Sequence, residues 1–529
     1  MTVRSRPPKR KKGTSHIVAD QSAVVALLSS PTAYGEPVDR VERIDTHAAM
    51  VFLAGSRAYK IKRAVRYPYL DASTLARRRR LCEKEISINR RTAPELYLGT
   101  MPVTRADDGK LRLGGKGEVE EWVIAMRRFA QDGLFDHLAE AGKLTPELLT
   151  AAVDAVAAFH DAAEPVSATA TNGGGRAGME WVVTENVDEL RERPDLFPAS
   201  EVADFAEASR RELDHCGKIL DERQAKRLVR RCHGDLHLRN ICLLDGNPTI
   251  FDAIEFNDVI ACIDVIYDLA FLLMDLDHRG LRPYANLALN RYMRRRPDLG
   301  GLVALPLFLS ARAAVRAKIC ASAEASQAED AARRSLRREA GGYFEAARRY
   351  LKRPAKRLVA VGGFSGVGKT RLARRLALEL GAAPGALHLQ SDFVRKRLLG
   401  AHELSRLPQD AYTPSVSNRV YEILADEAER ALRAGHSVIV DAVHGKSSGR
   451  AELAALARKV GARFTGIWLD APAATLLTRV ASRRKDASDA TPGVVRQQLR
   501  QRTGRITWHR VNTNRPPSKV LAEVRKLLS

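Results

Sequence analysis

Cysteine is scarce in this sequence and is not arranged as in common disulfide or metal frameworks. The 529 residues include six Cys, and no two of them form a C-x-x-C pair. This pattern argues against a disulfide framework and against a zinc ribbon. A reducing environment is the simplest setting for such a chain, and we therefore expect a cytoplasmic protein.

Long hydrophobic runs are also missing. No apolar stretch reaches the roughly 18–20 residues that a membrane helix requires. The first residues, MTVRSRPPKRKKGTSH, contain no apolar segment of the kind that a secretory signal carries. No repeat recurs at solenoid spacing. We expect neither a membrane-embedded nor a solenoid protein.

Acidic residues are outnumbered by basic ones. The sequence has 87 Lys+Arg against 63 Asp+Glu, a formal net charge of +24 with His counted as neutral. A basic surface is the first of several signals for nucleic-acid binding, but no zinc finger or RNA-stacking motif accompanies it. Solvated helix faces, together with arginines that attract polyphosphate ligands, explain the same excess. A nucleic-acid partner is thus the less favoured interpretation and stays open.

The pattern of the chain changes near residue 355, which predicts two folded domains. The hydrophobic fraction of 45% and the charged fraction of 28% are ordinary for globular proteins. Residues 1–20 are polar and basic, as in a disordered tail. We predict one domain over 21–352 and a second over 356–529.

The second predicted domain alternates short apolar runs with helical stretches. The apolar runs lie at 358–361, 386–390, 437–441 and 464–469. Such alternation is typical of an α/β domain with a mainly parallel sheet.

A glycine-rich loop follows the first of these predicted strands. It matches the pattern G-x-x-x-x-G-K-S/T and consists of Gly363, Phe364, Ser365, Gly366, Val367, Gly368, Lys369 and Thr370. Glycines allow backbone amides to surround phosphates, and the helix that follows directs its positive N-terminus at them. Lys369 would neutralise the β- and γ-phosphates, and Thr370 would reach Mg²⁺. The loop therefore predicts a binding site for ATP.

Two carboxylates follow other predicted strands of this sheet. Asp441 ends an apolar strand and is expected to hold Mg²⁺, with a capping role at the strand end as the alternative. Asp392 follows the strand 386–390, where it would face the ligand crevice and take a proton from a substrate hydroxyl. Arg395, three residues later, would hold a substrate anion.

These motifs make residues 355–529 resemble the small-molecule and polynucleotide P-loop kinases. That group contains gluconate kinase, chloramphenicol phosphotransferase and zeta toxins. Besides the glycine-rich loop, the resemblance depends on the S-D-x-x-R element that begins at Ser391 and on the pair Asp441-Ala442. It implies phosphoryl transfer from ATP to a small molecule or a polynucleotide.

The resemblance also implies a lid, which would lie at 479–486. In such a lid Arg479, Arg483 or Arg484 would stabilise charge on the transferred phosphoryl group. We select Arg483 as the nucleotide-binding residue. The alternative for these arginines is a solvated helix face.

The first predicted domain contains a second set of residues suited to phosphoryl transfer. In the segment H-G-D-L-H-L-R-N at 233–240, Asp235 and Asn240 lie five residues apart, and Asp252 follows twelve residues later. Asp235 would orient or deprotonate an acceptor hydroxyl, whereas Asn240 and Asp252 would hold Mg²⁺ on the nucleotide phosphates. The layout is that of protein kinases, except that D-A-I-E replaces the D-F-G step.

Two other interpretations of this segment stay open. His233 and His237 have the spacing of a zinc pair, but no third ligand and no H-E-x-x-H pattern accompany them. Alternatively, the domain is a degenerate kinase fold without activity, although its acidic and amide positions are all present.

A phosphate-binding lysine should come from the strand-rich region before residue 130. Lys60, in Ala58-Tyr59-Lys60, is similar to the lysine of the V-A-I-K pattern. Lys62 points to the same face of a strand and is the alternative. A glutamate on the predicted helix 75–92 should pair with the lysine. We select Glu85, with Glu83 as the alternative.

Residues 35–340 resemble the aminoglycoside phosphotransferase and choline kinase group. The H-G-D-x-H-x-x-N motif and the acidic stretch 252–255 are the basis of the resemblance. Arg239 stands where that group often has Gly or Glu. The implied fold is an α+β, protein-kinase-like domain.

The whole chain resembles bacterial bifunctional proteins that join an aminoglycoside phosphotransferase-like domain to a P-loop ATP-binding domain of the AAA family. This resemblance implies two sites for Mg²⁺-ATP, each of which moves a γ-phosphoryl group to a hydroxyl of a small molecule. The basic residues would suit an anionic or phosphorylated acceptor. The alternatives are a switch, in which one half senses or hydrolyses ATP and regulates the other, and a nucleic-acid-associated ATPase. The sequence does not indicate an oligomeric state.

Overall fold

The computed structural model of the chain describes residues 17–46, 48–67, 69–167, 174–482 and 488–528. The chain forms two compact units, one of residues 1–144 with 231–262 and the other of residues 145–230 with 263–529. No helix among the described residues is both long and apolar enough to cross a membrane. The predicted domain ranges 21–352 and 356–529 stay predictions.

Strands and helices occupy the following positions. The strands are β1 (Val41–Asp45), β2 (Ala49–Ala54), β3 (Arg57–Lys62), β4 (Tyr97–Arg105), β5 (Leu111–Leu113), β6 (Glu118–Arg127), β7 (Val229–Arg231), β8 (Ile241–Leu244), β9 (Asn247–Ile250), β10 (Cys262–Asp264), β11 (Arg357–Gly362), β12 (Leu387–Gln390), β13 (Val438–Asp441), β14 (Arg463–Asp470) and β15 (His509–Asn512). The helices are α1 (Ser22–Ser29), α2 (Leu75–Asn89), α3 (Phe135–Glu140), α4 (Pro146–Ala162), α5 (Gly175–Arg191), α6 (Ala199–Ala225), α7 (Asp258–Ala261), α8 (Val265–His278), α9 (Arg282–Arg295), α10 (Leu305–Ser326), α11 (Asp330–Tyr350), α12 (Lys369–Ala377), α13 (Ser391–Leu398), α14 (Pro414–Arg433), α15 (Ser447–Lys459), α16 (Ala473–Ala481), α17 (Pro492–Arg500) and α18 (Pro517–Leu528). Short 3-10 helices lie at Pro31–Ala33, Gln131–Gly133, Leu238–Asn240, Leu299–Val303 and Gln409–Tyr412.

The first unit is built on an antiparallel sheet with the strand order β1-β2-β3-β6-β4-β5. The hairpin β2–β3 turns at Gly55, whose φ of 55° is the left-handed conformation that glycine adopts without strain. The Thr74 hydroxyl caps α2 by accepting a hydrogen bond from the Arg77 amide. Apolar residues of α2 pack on one face of the sheet, and α1 covers the other.

The second unit combines the helices α4–α6 and α8–α11 with a five-stranded parallel sheet. The strand order is β12-β13-β11-β14-β15, and every pairing is parallel. Helices α12, α16, α17 and α18 bury one face of this sheet, where alternate strand residues such as Val359 and Val361 are fully buried. The mainly parallel sheet predicted for this part of the chain is confirmed.

The outer edge of β12 is covered by side chains of α9. The Asn286 amide donates to the Ala386 carbonyl at 3.1 Å, and the Asn290 carbonyl accepts from the His388 amide at 2.7 Å. Both asparagines are buried. An edge strand has backbone groups that need partners, and here side-chain amides supply them. Helix α9 thereby holds the strand that leads to Asp392.

We expect Asn290→Ala to lower the free energy of unfolding by about 1–3 kcal/mol, because it leaves a strand amide without its partner. Urea unfolding of the full chain, followed by tryptophan fluorescence, measures the change. Asn514→Ala is the matched control, since the Asn514 side chain accepts a single, exposed hydrogen bond, and it should change stability by no more than about 0.5 kcal/mol. Equal effects of the two substitutions would contradict the role of Asn290 at the strand edge.

Candidate active sites

The glycine-rich loop connects β11 to α12 in the second unit. Gly363, Gly366 and Gly368 have φ values of 128°, 86° and 99°, a region that other residues rarely adopt. A Cβ atom on Gly363 would lie 2.5 Å from the Leu469 carbonyl oxygen, so this position needs glycine for space as well. Helix α12 begins at Lys369, and the first amides of a helix have no helical carbonyl to bond. The loop therefore presents a surface suited to phosphate groups.

Thr370 and Asp441, which the sequence assigns to Mg²⁺, are in direct contact. The Thr370 hydroxyl donates to the Asp441 carboxylate at 2.7 Å, and His388 Nε2 donates to the same oxygen at 3.1 Å. Burial raises the pKa of Asp441, but the hydrogen bond from His388 and the charge of Lys369 outweigh burial, so that the pKa lies below its usual value. An ionised carboxylate beside a hydroxyl is a set of hard oxygen donors and fits Mg²⁺.

Asp392 and Arg395 lie on the first turns of α13, which follows β12. Desolvation and the charge of Asp441 raise the pKa of Asp392 above its ordinary value, which suits a group that takes a proton from a hydroxyl. Arg395 donates to the Ala411 carbonyl at 2.7 Å and to the Ser417 hydroxyl at 3.3 Å. Its guanidinium is thus held by the chain itself, and its role towards a substrate anion stays a prediction.

A single cavity of about 2450 Å³ brings these residues together. Its walls include Lys369, Thr370, Asp392, Arg395 and Asp441. The Lys369 ammonium donates to the Phe364 carbonyl at 3.2 Å. The glycine-rich loop, the oxygens of Thr370 and Asp441, and the Asp392 carboxylate therefore face one cavity, which is the arrangement that phosphoryl transfer needs.

Sequence reasoning missed two residues of this cavity. His388 holds Asp441, and the Gln498 side chain accepts a hydrogen bond from the Ser365 amide at 2.8 Å. Neither residue belongs to a recognisable motif, since their roles arise only when β12 and α17 reach the loop. Only the strand pattern around His388 hinted at its place beside the carboxyl ends of the strands.

Arg479, one of the three arginines considered for the lid, lies on α16. It donates to the Thr513 carbonyl at 2.9 Å and to the Thr513 hydroxyl at 3.3 Å. Arg483 and Arg484 lie outside the described residues. The assignment of Arg483 to the nucleotide stays a prediction.

In the first unit, Lys60 on β3 connects two carboxylates. Its ammonium lies 2.8 Å from Glu85 on α2 and 2.7 Å from Asp252. Glu83 instead forms an exposed pair with Arg79. The ion pair predicted between Lys60 and Glu85 is therefore present, and Glu85, not Glu83, is the glutamate that reaches the lysine.

The segment around Asp235 converges on the same place. The Asn240 amide donates to the Asp235 carbonyl at 2.8 Å and to its carboxylate at 3.0 Å. Desolvation and the negative charge of Asp235 raise the pKa of Asp252, but the charge and hydrogen bond of Lys60 outweigh them, so that the pKa lies below its ordinary value. Asp252 has a φ of 62°, which is rare for a residue other than glycine, and its amide donates to the Tyr97 hydroxyl at 3.2 Å.

The two histidines of this segment contact protein groups. His233 is fully buried, and its Nε2 lies 2.8 Å from the Phe251 carbonyl oxygen. His237 Nε2 lies 3.3 Å from the Asp235 carboxylate. The His233 ring thus holds the loop that carries Asp235 to the residue that precedes Asp252, and His237 contacts the Asp235 carboxylate itself.

A second buried ion pair lies beside Lys60. The Lys62 ammonium is 2.5 Å from Glu255 and also contacts Glu85, and all three side chains are buried. Sequence reasoning treated Lys62 as an alternative to Lys60 and assigned Glu255 no role. The signal was present in the alternation of β3, which puts both lysines on one face, but only the fold brings Glu255 to them.

Comparison with known families gives the class of protein. Residues 75–301 match the model of the phosphotransferase enzyme family, and residues 358–504 match the model of an AAA domain. The chain joins a kinase-like phosphotransferase domain to a P-loop domain with a parallel sheet, so the family resemblance and the fold class predicted from the sequence are confirmed. The chain is an ATP-dependent kinase or phosphotransferase.

The similar proteins cover either most of the chain or one part of it. Uncharacterized proteins of Mycobacterium bovis and of Mycobacterium tuberculosis are each 29% identical over 515 residues, which is 94% of this chain and 98% of the relative. A thermostable mutant of an aminoglycoside phosphotransferase, solved with AMP-PNP and hygromycin B, is 14% identical over 61% of this chain and 98% of its own, with a TM-score of 0.36. The APS kinase of Mycobacterium tuberculosis, solved with AMPPNP and APS, is 22% identical over 33% of this chain and 98% of its own, with a TM-score of 0.25.

We expect Lys62→Met to lower the free energy of unfolding by about 3–5 kcal/mol, because it leaves the buried Glu255 without its partner. Urea unfolding at neutral pH measures the loss. Glu83→Gln is the control, since it breaks only an exposed pair on α2, and it should cost no more than about 0.5 kcal/mol. A loss from Lys62→Met as small as that of the control would contradict the importance of the buried pair.

Asp392→Asn should raise the melting temperature at neutral pH. The pKa of Asp392 is raised in the folded chain, so ionisation of this carboxyl opposes folding. The penalty is complete above the raised pKa, shrinks as the pH falls through it, and is gone below the ordinary pKa of the group. The gain from the amide should therefore shrink in acid. Calorimetry across a pH series measures it, with the exposed Asp410→Asn as the control. A gain that grows in acid would contradict the raised pKa.

Proposed function

We propose that the chain has two sites for Mg²⁺-ATP and that each transfers the γ-phosphoryl group to a hydroxyl of a small molecule. One observation supports this most directly. In each unit a lysine ammonium, oxygen ligands suited to Mg²⁺ and a further carboxylate able to take a proton lie together, although they come from distant parts of the sequence.

In the P-loop site, Lys369 and the first backbone amides of α12 would bind the phosphates of ATP. Thr370 and Asp441 would hold Mg²⁺, which would neutralise charge on the phosphates when bound. Asp392, whose pKa is raised by burial and by Asp441, would receive the proton of the acceptor hydroxyl.

In the first unit, Lys60 would bind the phosphates, and Glu85 keeps its ammonium in place. Asn240 and Asp252 would hold Mg²⁺. Asp235, which lies against Asn240 and is partly exposed, would receive the proton of the acceptor hydroxyl. Asp252, which contacts Lys60, would thus bind the metal, whereas Asp235, which contacts Asn240, would take the proton.

The chemistry is the same in both sites. The acceptor oxygen forms a bond to the γ-phosphorus, and the bond from that phosphorus to the bridging oxygen of ADP breaks. The hydroxyl proton passes to Asp235 or to Asp392. The leaving group is ADP, which carries away the electron pair of the broken bond.

We also infer a reducing, cytoplasmic setting. All six cysteines are buried, and none forms a disulfide. A chain that consumes ATP and keeps all its thiols reduced fits that compartment.

Titration of the full chain with Mg²⁺ and AMP-PNP tests the number of sites. We expect two nucleotides per chain, one lost in Lys369→Ala and the other weakened at least about tenfold, or roughly 1.4 kcal/mol, in Asp252→Asn. Lys110→Ala, at an exposed lysine outside both sites, is the control and should keep both. A single nucleotide in the unaltered chain would overturn the proposal of two sites.

Labelling of a metabolite extract with γ-labelled ATP tests the transfer itself. Asp235→Asn and Asp392→Asn should each remove a different labelled product, with a loss of roughly 10²–10⁴-fold as for other general bases. If one substitution instead changes only the rate at which the other site works, the regulatory alternative is correct. Retention of all products in both variants would contradict the roles of the two carboxylates.

A further inference from the structure

Helix α9 carries a polar stripe along its whole length, and the stripe faces the P-loop sheet. Arg282, Asn286, Asn290 and Arg294 are spaced four residues apart, which puts them on one helix face. Arg282 donates to the Leu378 carbonyl at 3.2 Å, and the asparagines bond the edge of β12. The stripe therefore runs along β12 and ends at Arg294, beside the carboxyl end of that strand.

Arg294 lies against the residue that follows Asp392. Its guanidinium carbon is 4.3 Å from the centre of the Phe393 ring, and both Arg294 and Asp392 line the cavity of the P-loop site. The acceptor hydroxyl must lie near Asp392 if that carboxylate takes its proton. Arg294 thus reaches the acceptor side of the cavity from a helix outside the P-loop domain.

Arg294 forms no ion pair with any carboxylate of the described residues, although Glu403 and Asp154 act on its charge from a distance. Its Nε atom is buried without a hydrogen-bond partner. The neighbouring Arg291 differs, because it pairs with both Asp154 and Glu403. A half-buried guanidinium whose Nε has no hydrogen-bond partner is costly, so this position is one that an anion would stabilise.

A second arginine adds to the positive potential. Arg374 on α12 lines the same cavity, and no described carboxylate pairs with it. Burial, with repulsion from Arg291 and Arg374, lowers the pKa of Arg294 to about 10, although Glu403 and Asp154 act in the opposite direction. The fork of guanidinium donors matches phosphate, sulfate and carboxylate groups well.

We propose that Arg294, assisted by Arg374, binds an anionic group of the acceptor in the P-loop site. This inference depends on the proposed function of that site. The acceptor is then an alcohol that also carries a phosphate, sulfate or carboxylate group. Since Arg294 lies within the stretch that matches the phosphotransferase family, residues 75–301, a helix of one catalytic domain completes the acceptor site of the other.

Titration with inorganic phosphate tests the site in the full chain saturated with Mg²⁺ and AMP-PNP. We expect one phosphate to bind per chain, with affinity reduced at least about tenfold in Arg294→Met, the size of effect expected for a lost charge-assisted hydrogen bond. Methionine keeps an apolar stem over Phe393. Arg295→Gln is the matched control, since Arg295 is exposed, lies next in the same helix and does not line the cavity.

Melting curves check that Arg294→Met is folded. If it is not, Arg294→Lys keeps the charge without the fork and should bind phosphate with an intermediate affinity. The proposal would be overturned if a folded Arg294→Met, or Arg294→Lys, bound phosphate with the same affinity as the unaltered chain. It would also be overturned if the nucleotide-loaded chain bound no phosphate.

Failure of the proposed function has a different signature. If AMP-PNP does not bind the P-loop, the proposed function of this site is wrong. The anion site can still be tested without nucleotide, by comparing phosphate binding to Lys369→Ala with phosphate binding to the same variant that also carries Arg294→Met. Metabolite labelling separates the anion of an acceptor from free phosphate. The labelled product that disappears in Asp392→Asn should derive from an anionic alcohol, and it should form more slowly in Arg294→Met. A neutral acceptor would overturn the assignment.

Discussion

The pairing of α9 with the edge of β12 is the constraint on which the P-loop site depends. Parallel strands at a sheet edge have amides and carbonyls that need partners, and Asn286 and Asn290 provide them. The same contact fixes His388, which holds the carboxylate of Asp441. It also sets the place where β12 ends and α13 begins, and therefore the position of Asp392. One helix thus couples stability of the sheet to the chemistry at its carboxyl end.

Buried charge organises both sites, but it is balanced differently in each. Around Lys60, positive and negative groups alternate at hydrogen-bond distance, so each ion has a partner within the protein. In the P-loop cavity, Arg294 has no such partner among the described residues, while Asp392 faces the like charge of Asp441. A charged group that lacks a partner, or that lies near a like charge, is a candidate for substrate binding or proton transfer.

Much of the fold and part of each site could be predicted from residue patterns. The strand that carries Lys60 and the strands around the P-loop follow from patterns of apolar residues, which are local properties. The choice of Glu85 over Glu83 depended on which side of α2 meets the sheet, and the sequence offered only a weak preference. His388 and Gln498 could not be found, because their contacts join elements that are far apart along the chain.

Local motifs were enough to predict the chemistry, because a glycine-rich loop with a lysine, and a second set of carboxylates and an amide, need only certain residue types at short spacings. Which of these groups meet others follows only from the three-dimensional fold. It placed Glu255 on Lys62 and brought Arg294 to the P-loop cavity. The physical reason is that charge compensation and packing act between residues close in space, and separation along the chain does not encode that distance.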